Sequence, residues 1–112
     1  MRLNLEKLRK DSWMKIWFVS RHQGAIEWMK AQSDWTVDHW VEHLDVSLIN
    51  QNDIVIGILP LPLVADVCAK GAIFYALVMN QSREQRGIEH SLGDMLEAKS
   101  HLMRYYVEQL KN

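Results

Sequence analysis

Ser20, Arg21, His22 and Gly24 bring a hydroxyl, a guanidinium, an imidazole and an unencumbered backbone together in one short stretch. An arginine fork can bridge two phosphate oxygens, and histidine titrates near neutral pH, so it can move a proton. A serine hydroxyl can orient a ribose or phosphate oxygen. A glycine at the start of a helix leaves free backbone N–H groups and the positive end of the helix dipole facing an anion. The same residues also suit an ordinary strand-to-helix turn, in which Ser20 and Gly24 shape the backbone and Arg21 and His22 stay in water. Spacing alone does not choose between the two.

Other polar residues have narrower prospects. His39 and His43 share a face whether their segment is a strand or a helix, which raises the idea of a metal pair. No acidic or cysteine partner stands at a ligand spacing, so no metal is expected, and His43 reads as a hydrogen-bonding residue at the edge of a site. Asp45 and Asp53 look like a carboxylate pair, yet an aspartate next to a turn usually bonds its own main chain. Asn80 and Arg86, with Arg83, fall in a polar stretch after the last central strand, where they can reach the sheet's carboxyl edge. Cys68, among apolar neighbours, reads as an inert core thiol. Of the five tryptophans, Trp17 and Trp28 read as packing residues, whereas Trp35 and Trp40 stay open as dimer or ligand contacts.

These residues need a scaffold to bring them together. Ile16 to Val19 is a continuous apolar run that reads as a fully buried strand. A helix is expected from Gly24 to Gln32 with Ala25, Ile26 and Met29 inward. Thr36 to Leu44 fits either period, and a strand is preferred. Asn50 to Asp53 is a turn by composition, and Ile54 to Leu59 is the clearest strand, ended by Pro60. Pro62 suits the first turn of a helix that turns Leu63, Val64, Val67 and Cys68 inward until Lys70 and Gly71. Ala72 to Met79 is a further strand. Asn80 to His90 is polar and reads as a loop. From Ser91 a final helix is expected, with Leu92, Met95, Leu96, Met103, Tyr106, Val107 and Leu110 on one face.

Strands alternating with helices predict a single small Rossmann-like α/β domain over residues 14–112, with a mostly parallel sheet of about four strands flanked by helices. Residues 1–13 read as a polar extension, and Met14 as a second candidate start. One link is short. Only eight residues run from Asp45 to Asn52, fewer than a helical crossover uses, so the second strand is open as an antiparallel edge or a helix. Ligands of open α/β sheets sit beyond the carboxyl ends of the strands. Here those ends carry Ser20-Arg21-His22, His43-Leu44-Asp45, Leu59-Pro60 and Asn80-Gln81.

Composition narrows the function classes. With 112 residues, 48% of them hydrophobic, there is material for one core and no room for a second domain. A formal net charge of -1 gives no global field for DNA or an anionic membrane, so any anion must be met by a local cluster of donors. One cysteine excludes an intrachain disulfide framework and fits a reducing, cytoplasmic setting. There is no apolar run of transmembrane length.

The run Phe18-Val19-Ser20-Arg21-His22-Gln23-Gly24-Ala25-Ile26-Glu27-Trp28, then His43-Leu44-Asp45, then Asp53 to Pro60, and finally Arg86-Gly87-Ile88-Glu89, resembles a small type III CRISPR-associated family of the Csx group. The resemblance spans nearly all of residues 14–110 and leaves out the first 13. Four positions depart from the family's pattern: Gln23 stands where proline is usual, Asn52 where glycine precedes the aspartate, Ile58 where threonine is common, and His90 where leucine is expected. Asparagine tolerates positive φ almost as glycine does. Ile58 removes a hydroxyl near the site.

The resemblance implies a Rossmann-like ring nuclease that binds and degrades cyclic oligoadenylate, cyclic tetra-adenylate in particular. On that reading Arg21 and Arg86 supply charge to a phosphate, His22 transfers a proton, and Ser20 orients the ribose or phosphate. Gly24, His43 and Asn80 complete the ligand site, and no cofactor is expected. A ring with rotational symmetry would be met by a homodimer presenting two copies of these donors. A binding module that sequesters the ring uncut, and a structural protein that holds a partner on its tryptophans, remain as alternatives.

Overall fold

Ile16, Trp17, Phe18 and Val19 are apolar on both faces of an extended chain, so they can rest only inside a sheet covered on both sides. A computed structural model, which describes residues 14–79, 93 and 99–111, places them there as strand β1 (Ile16–Val19), buried along its whole length. Helix α1 (Gln23–Lys30) follows, then β2 (His39–Val41), β3 (Ile54–Gly57), helix α2 (Leu61–Ala69), β4 (Ile73–Val78) and β5 (His101–Tyr105). The strands form one sheet in the order β2-β1-β3-β4-β5. The first four run parallel, and β5 is antiparallel to β4.

Strand alternation divides the core in two. Ile16, Phe18, Ile54 and Ile56 point to the face covered by Ala25, Trp28 and Met29 of α1. Trp17, Val19 and Val55 point to the opposite face, against Val64, Val67 and Cys68 of α2. Complete burial of a side chain such as Ile56 or Val67 contributes about 1.5–3 kcal/mol, so each layer gives its helix a fixed seat. Proline near the start of α2 and Gly71 after its end, at φ 81, set the limits of that helix as its sequence anticipates.

The amino ends of the strands are clipped by carboxylates. Asp53 is 1% exposed and accepts from the Lys15 N–H at 3.0 Å, the Asn50 N–H at 3.0 Å and Trp17 Nε1 at 3.2 Å. Three donors offset the cost of burying the charge. Asp38 Oδ2 accepts from the Ile16 N–H at 2.8 Å. Asn52 adopts φ 72 at the adjoining turn, a left-handed backbone that asparagine tolerates better than most residues.

Five strands, four of them parallel, make up the expected mostly parallel sheet, and Thr36 to Leu44 contains a strand, as preferred. Two expectations are corrected. The second strand is neither antiparallel nor helical: it is a parallel edge beside β1, and the chain crosses to β3 without an α-helix, using the 3-10 turn Val46–Leu48 and the buried Ile49. The final helix does not extend through Met103, because His101 to Tyr105 is β5. Lys99 takes φ 55, a backbone through which no α-helix continues, and the open edge of β4 offers ladder partners that a helix would leave unsatisfied. Leu102 packs into the α1-side core and Val107 into the other. The extension before Met14 and the polar stretch from Asn80 lie outside the described residues.

Candidate functional site

The connections after β1 and β3 leave the sheet on opposite faces, to α1 and α2, and a crevice opens between them at the carboxyl ends. This is the switch point where doubly wound sheets bind ligands. A cleft of about 560 Å³ occupies it. One wall is polar and comes from the ends of β1 and β2: Ser20, Arg21, His22, Glu42 and His43. The other is apolar and comes from the β3–α2 connection and the first turn of α2: Ile58, Leu59, Pro60 and Leu63.

Local backbone chemistry builds the polar wall. The Ser20 N–H donates to the Val41 carbonyl at 2.9 Å, which keeps the ends of β1 and β2 level. Ser20 Oγ accepts from the His22 N–H at 3.1 Å and closes a tight turn. His22 then caps α1 with extended backbone, its carbonyl accepting from the Ile26 N–H at 3.1 Å. No side chain caps this helix, so its first-turn N–H groups are not taken by a capping hydroxyl or carboxylate. Arg21 and His22 are exposed above it. Gly24 is buried as the second residue of α1, one position inside the helix start, next to the cleft residue Ala25.

The loop carrying His43 is held from below. Asp45 Oδ1 accepts from the Ser47 N–H at 3.0 Å and from Ser47 Oγ at 2.6 Å, capping the Val46–Leu48 turn. These two bonds, with Lys70 nearby, hold the Asp45 carboxyl below its ordinary value of 3.8. Lys70 Nζ donates to the Val46 carbonyl at 2.7 Å and ties the turn to the end of α2. Asp45 and Asp53 are therefore turn and strand anchors, as their sequence positions suggest.

The structure brings Ser20, Arg21, His22 and His43 to one cleft. Asn80 and Arg86 lie outside the described residues. His39 is not beside His43's wall: it stacks on Trp17, with ring centroids 4.2 Å apart. Among the described residues there is no group of three metal-ligating side chains. Trp35 packs edge-on against Tyr75, and Trp40 packs edge-on against Phe18 with Lys30 above it while staying 40% exposed. Glu42, Gly57 and Leu63 belong to the site although the sequence reading passed over them. Glu42 directly follows the second strand and Gly57 ends the clearest one, which was the available signal.

A family model described as "Putative CRISPR-associated protein (Cas_VVA1548)" matches residues 17–108. The chain belongs to the Cas_VVA1548 family. The match runs from β1 to beyond β5 and takes in every residue of the cleft. CRISPR association thus rests on the whole domain. The chain matches no curated protein and no solved structure. Among the described residues no helix is long and apolar enough to cross a membrane.

Proposed function

We propose that this Cas_VVA1548 protein is a ring nuclease of type III CRISPR defence, which binds cyclic oligoadenylate, cyclic tetra-adenylate foremost, and cuts it to end the antiviral signal. The observation that carries the reading is the convergence of Arg21, His22, Ser20 and His43 on one wall of the switch-point cleft, facing an apolar wall. An adenine nucleotide has the same division, with an anionic phosphate beside a flat base.

The substrate supplies its own nucleophile. The 2′-hydroxyl attacks the adjacent phosphorus, the 5′-oxygen leaves with a proton, and a 2′,3′-cyclic phosphate remains. Arg21 and the first-turn N–H groups of α1 stabilise the crowded phosphate, and His22 moves the proton. Ser20 fixes the turn that aims both. Arg86 is retained as a second phosphate ligand, and Asn80 as a site residue, on the family resemblance alone. A homodimer would present two such clefts to a symmetric ring.

Labelled cyclic oligoadenylates incubated with the protein in EDTA test the proposal. Linear products ending in a cyclic phosphate support it. A ring retained but uncut makes the protein a sequestering module, and a ring neither bound nor cut sinks the reading.

A further inference from the structure

Glu42 has no part in the mechanism above, yet it lines the cleft beside His43. It is exposed, and no hydrogen bond or ion pair holds its carboxylate among the described residues. A negative charge is out of place on the wall of a phosphodiester site, because like charges repel. The phosphate oxygens are therefore not Glu42's partner, and a hydrogen-bond donor on the rest of the ligand suits its carboxylate.

The strand register says which donor. Val19 pairs with Val41, and the Ser20 N–H donates to the Val41 carbonyl, so Glu42 stands level with Ser20 across the β1–β2 pair. Neighbouring strands lie about 4.8 Å apart. A phosphate held at Arg21 and the start of α1 thus has its own ribose within reach of Glu42. Dinucleotide-binding Rossmann folds, whose Gly-rich turn this chain lacks, carry a ribose-binding carboxylate about 20 residues beyond their phosphate loop, a spacing that Glu42 shares. The base amine is the other donor of an adenine nucleotide, but the apolar wall that suits a base, Ile58 to Pro60, lies on the β3 side.

We infer that Glu42 reads the ribose: its carboxylate accepts a hydrogen bond from the 2′-hydroxyl beside the bound phosphodiester and so makes the cleft prefer ribonucleotide over deoxyribonucleotide rings. This rests on the cyclic-nucleotide reading of the cleft. Glu42 then touches the hydroxyl that attacks and takes up its proton as the 2′-oxygen bonds to phosphorus, while His22 gives a proton to the departing 5′-oxygen.

The test is binding of cyclic tetra-adenylate and its all-2′-deoxy analogue to the full chain, at times shorter than turnover and with ring integrity checked by chromatography. A hydrogen bond to a charged acceptor predicts that the natural protein holds the deoxy ring roughly tenfold or more weakly. Glu42→Ala should bind both rings alike. Glu42→Gln, whose amide oxygen still accepts, should recover part of the preference. Circular dichroism confirms that the variants are folded. If Glu42→Ala keeps the full preference, another residue reads the ribose and the inference is wrong. If the natural protein binds both rings equally, the inference is wrong while ring binding stands. If it binds neither ring, the proposed function falls first and this inference with it.

Discussion

Gly57 and Val19 face each other across the β1–β3 pair so closely that a Cβ on Gly57 would lie 2.7 Å from the Val19 carbonyl oxygen. The clash would be with backbone, which cannot swing aside as a side chain can. Both residues line the cleft, at the point where β1 and β3 part. Gly57→Ala should therefore push the strand ends apart at the floor of the site. Overpacking of this kind costs about 1–3 kcal/mol. A lower Tm together with weaker ring binding by the folded protein is the expected result, and a variant as stable as the natural chain would show that the strands do not need this close approach.

Asp53 makes the opposite prediction, because it anchors the amino end of the sheet, away from the cleft. Asp53→Ala would leave the Lys15 and Asn50 N–H groups and Trp17 Nε1 without their acceptor. A loss of about 2–4 kcal/mol is expected from stranding these donors. Urea unfolding followed by tryptophan fluorescence measures it. The fraction that remains folded should bind ligand normally.

The fold was legible where local sequence decides the outcome. Four apolar residues in succession fixed β1 at Ile16 to Val19, and Pro62 and Gly71 framed α2. β5 was hidden because Met103, Tyr106, Val107 and Leu110 happen to keep helical spacing, while the reason for a strand lies in the open edge of β4, far off in sequence. The site divided in the same way. Ser20, Arg21 and His22 could be found from the rule that ligands sit at strand ends. Glu42 and Gly57 carried the same strand-end signal but not their meaning, which depends on β1 lying between β2 and β3, an order that no single segment encodes.

Asp45 provides a pH test of the loop beneath His43. Its folded pKa is depressed by the Ser47 side chain and then by the Ser47 backbone N–H. A depressed carboxylate contributes stability that is present above its unfolded value, near 3.8, and is lost as pH falls through the lower folded value. The turn should thus stay intact at neutral pH and loosen only in strong acid. Carbon-detected NMR titration should find Asp45 below the usual aspartate range, and Ser47→Ala should raise it. An Asp45 that titrates at its ordinary value would remove the cap from the account.

The sharpest prediction concerns where the nucleophile comes from. Replacing every 2′-hydroxyl of cyclic tetra-adenylate with hydrogen leaves the phosphates that Arg21 and the α1 N–H groups would hold, so the deoxy ring should still bind, though more weakly. It should not be cut. His22→Ala should bind the natural ring nearly as well as the unaltered protein does, because Arg21 remains, but cut it about a hundredfold or more slowly, the usual scale of general acid–base help. A split of that kind between binding and rate marks a group that acts in the transition state. Chemical quench with chromatography separates the two effects and identifies the cyclic phosphate end. Cutting of the deoxy ring at the natural rate would mean that water or a protein group attacks instead, and the proposed mechanism would then fail even though the chain's place in its CRISPR-associated family stands.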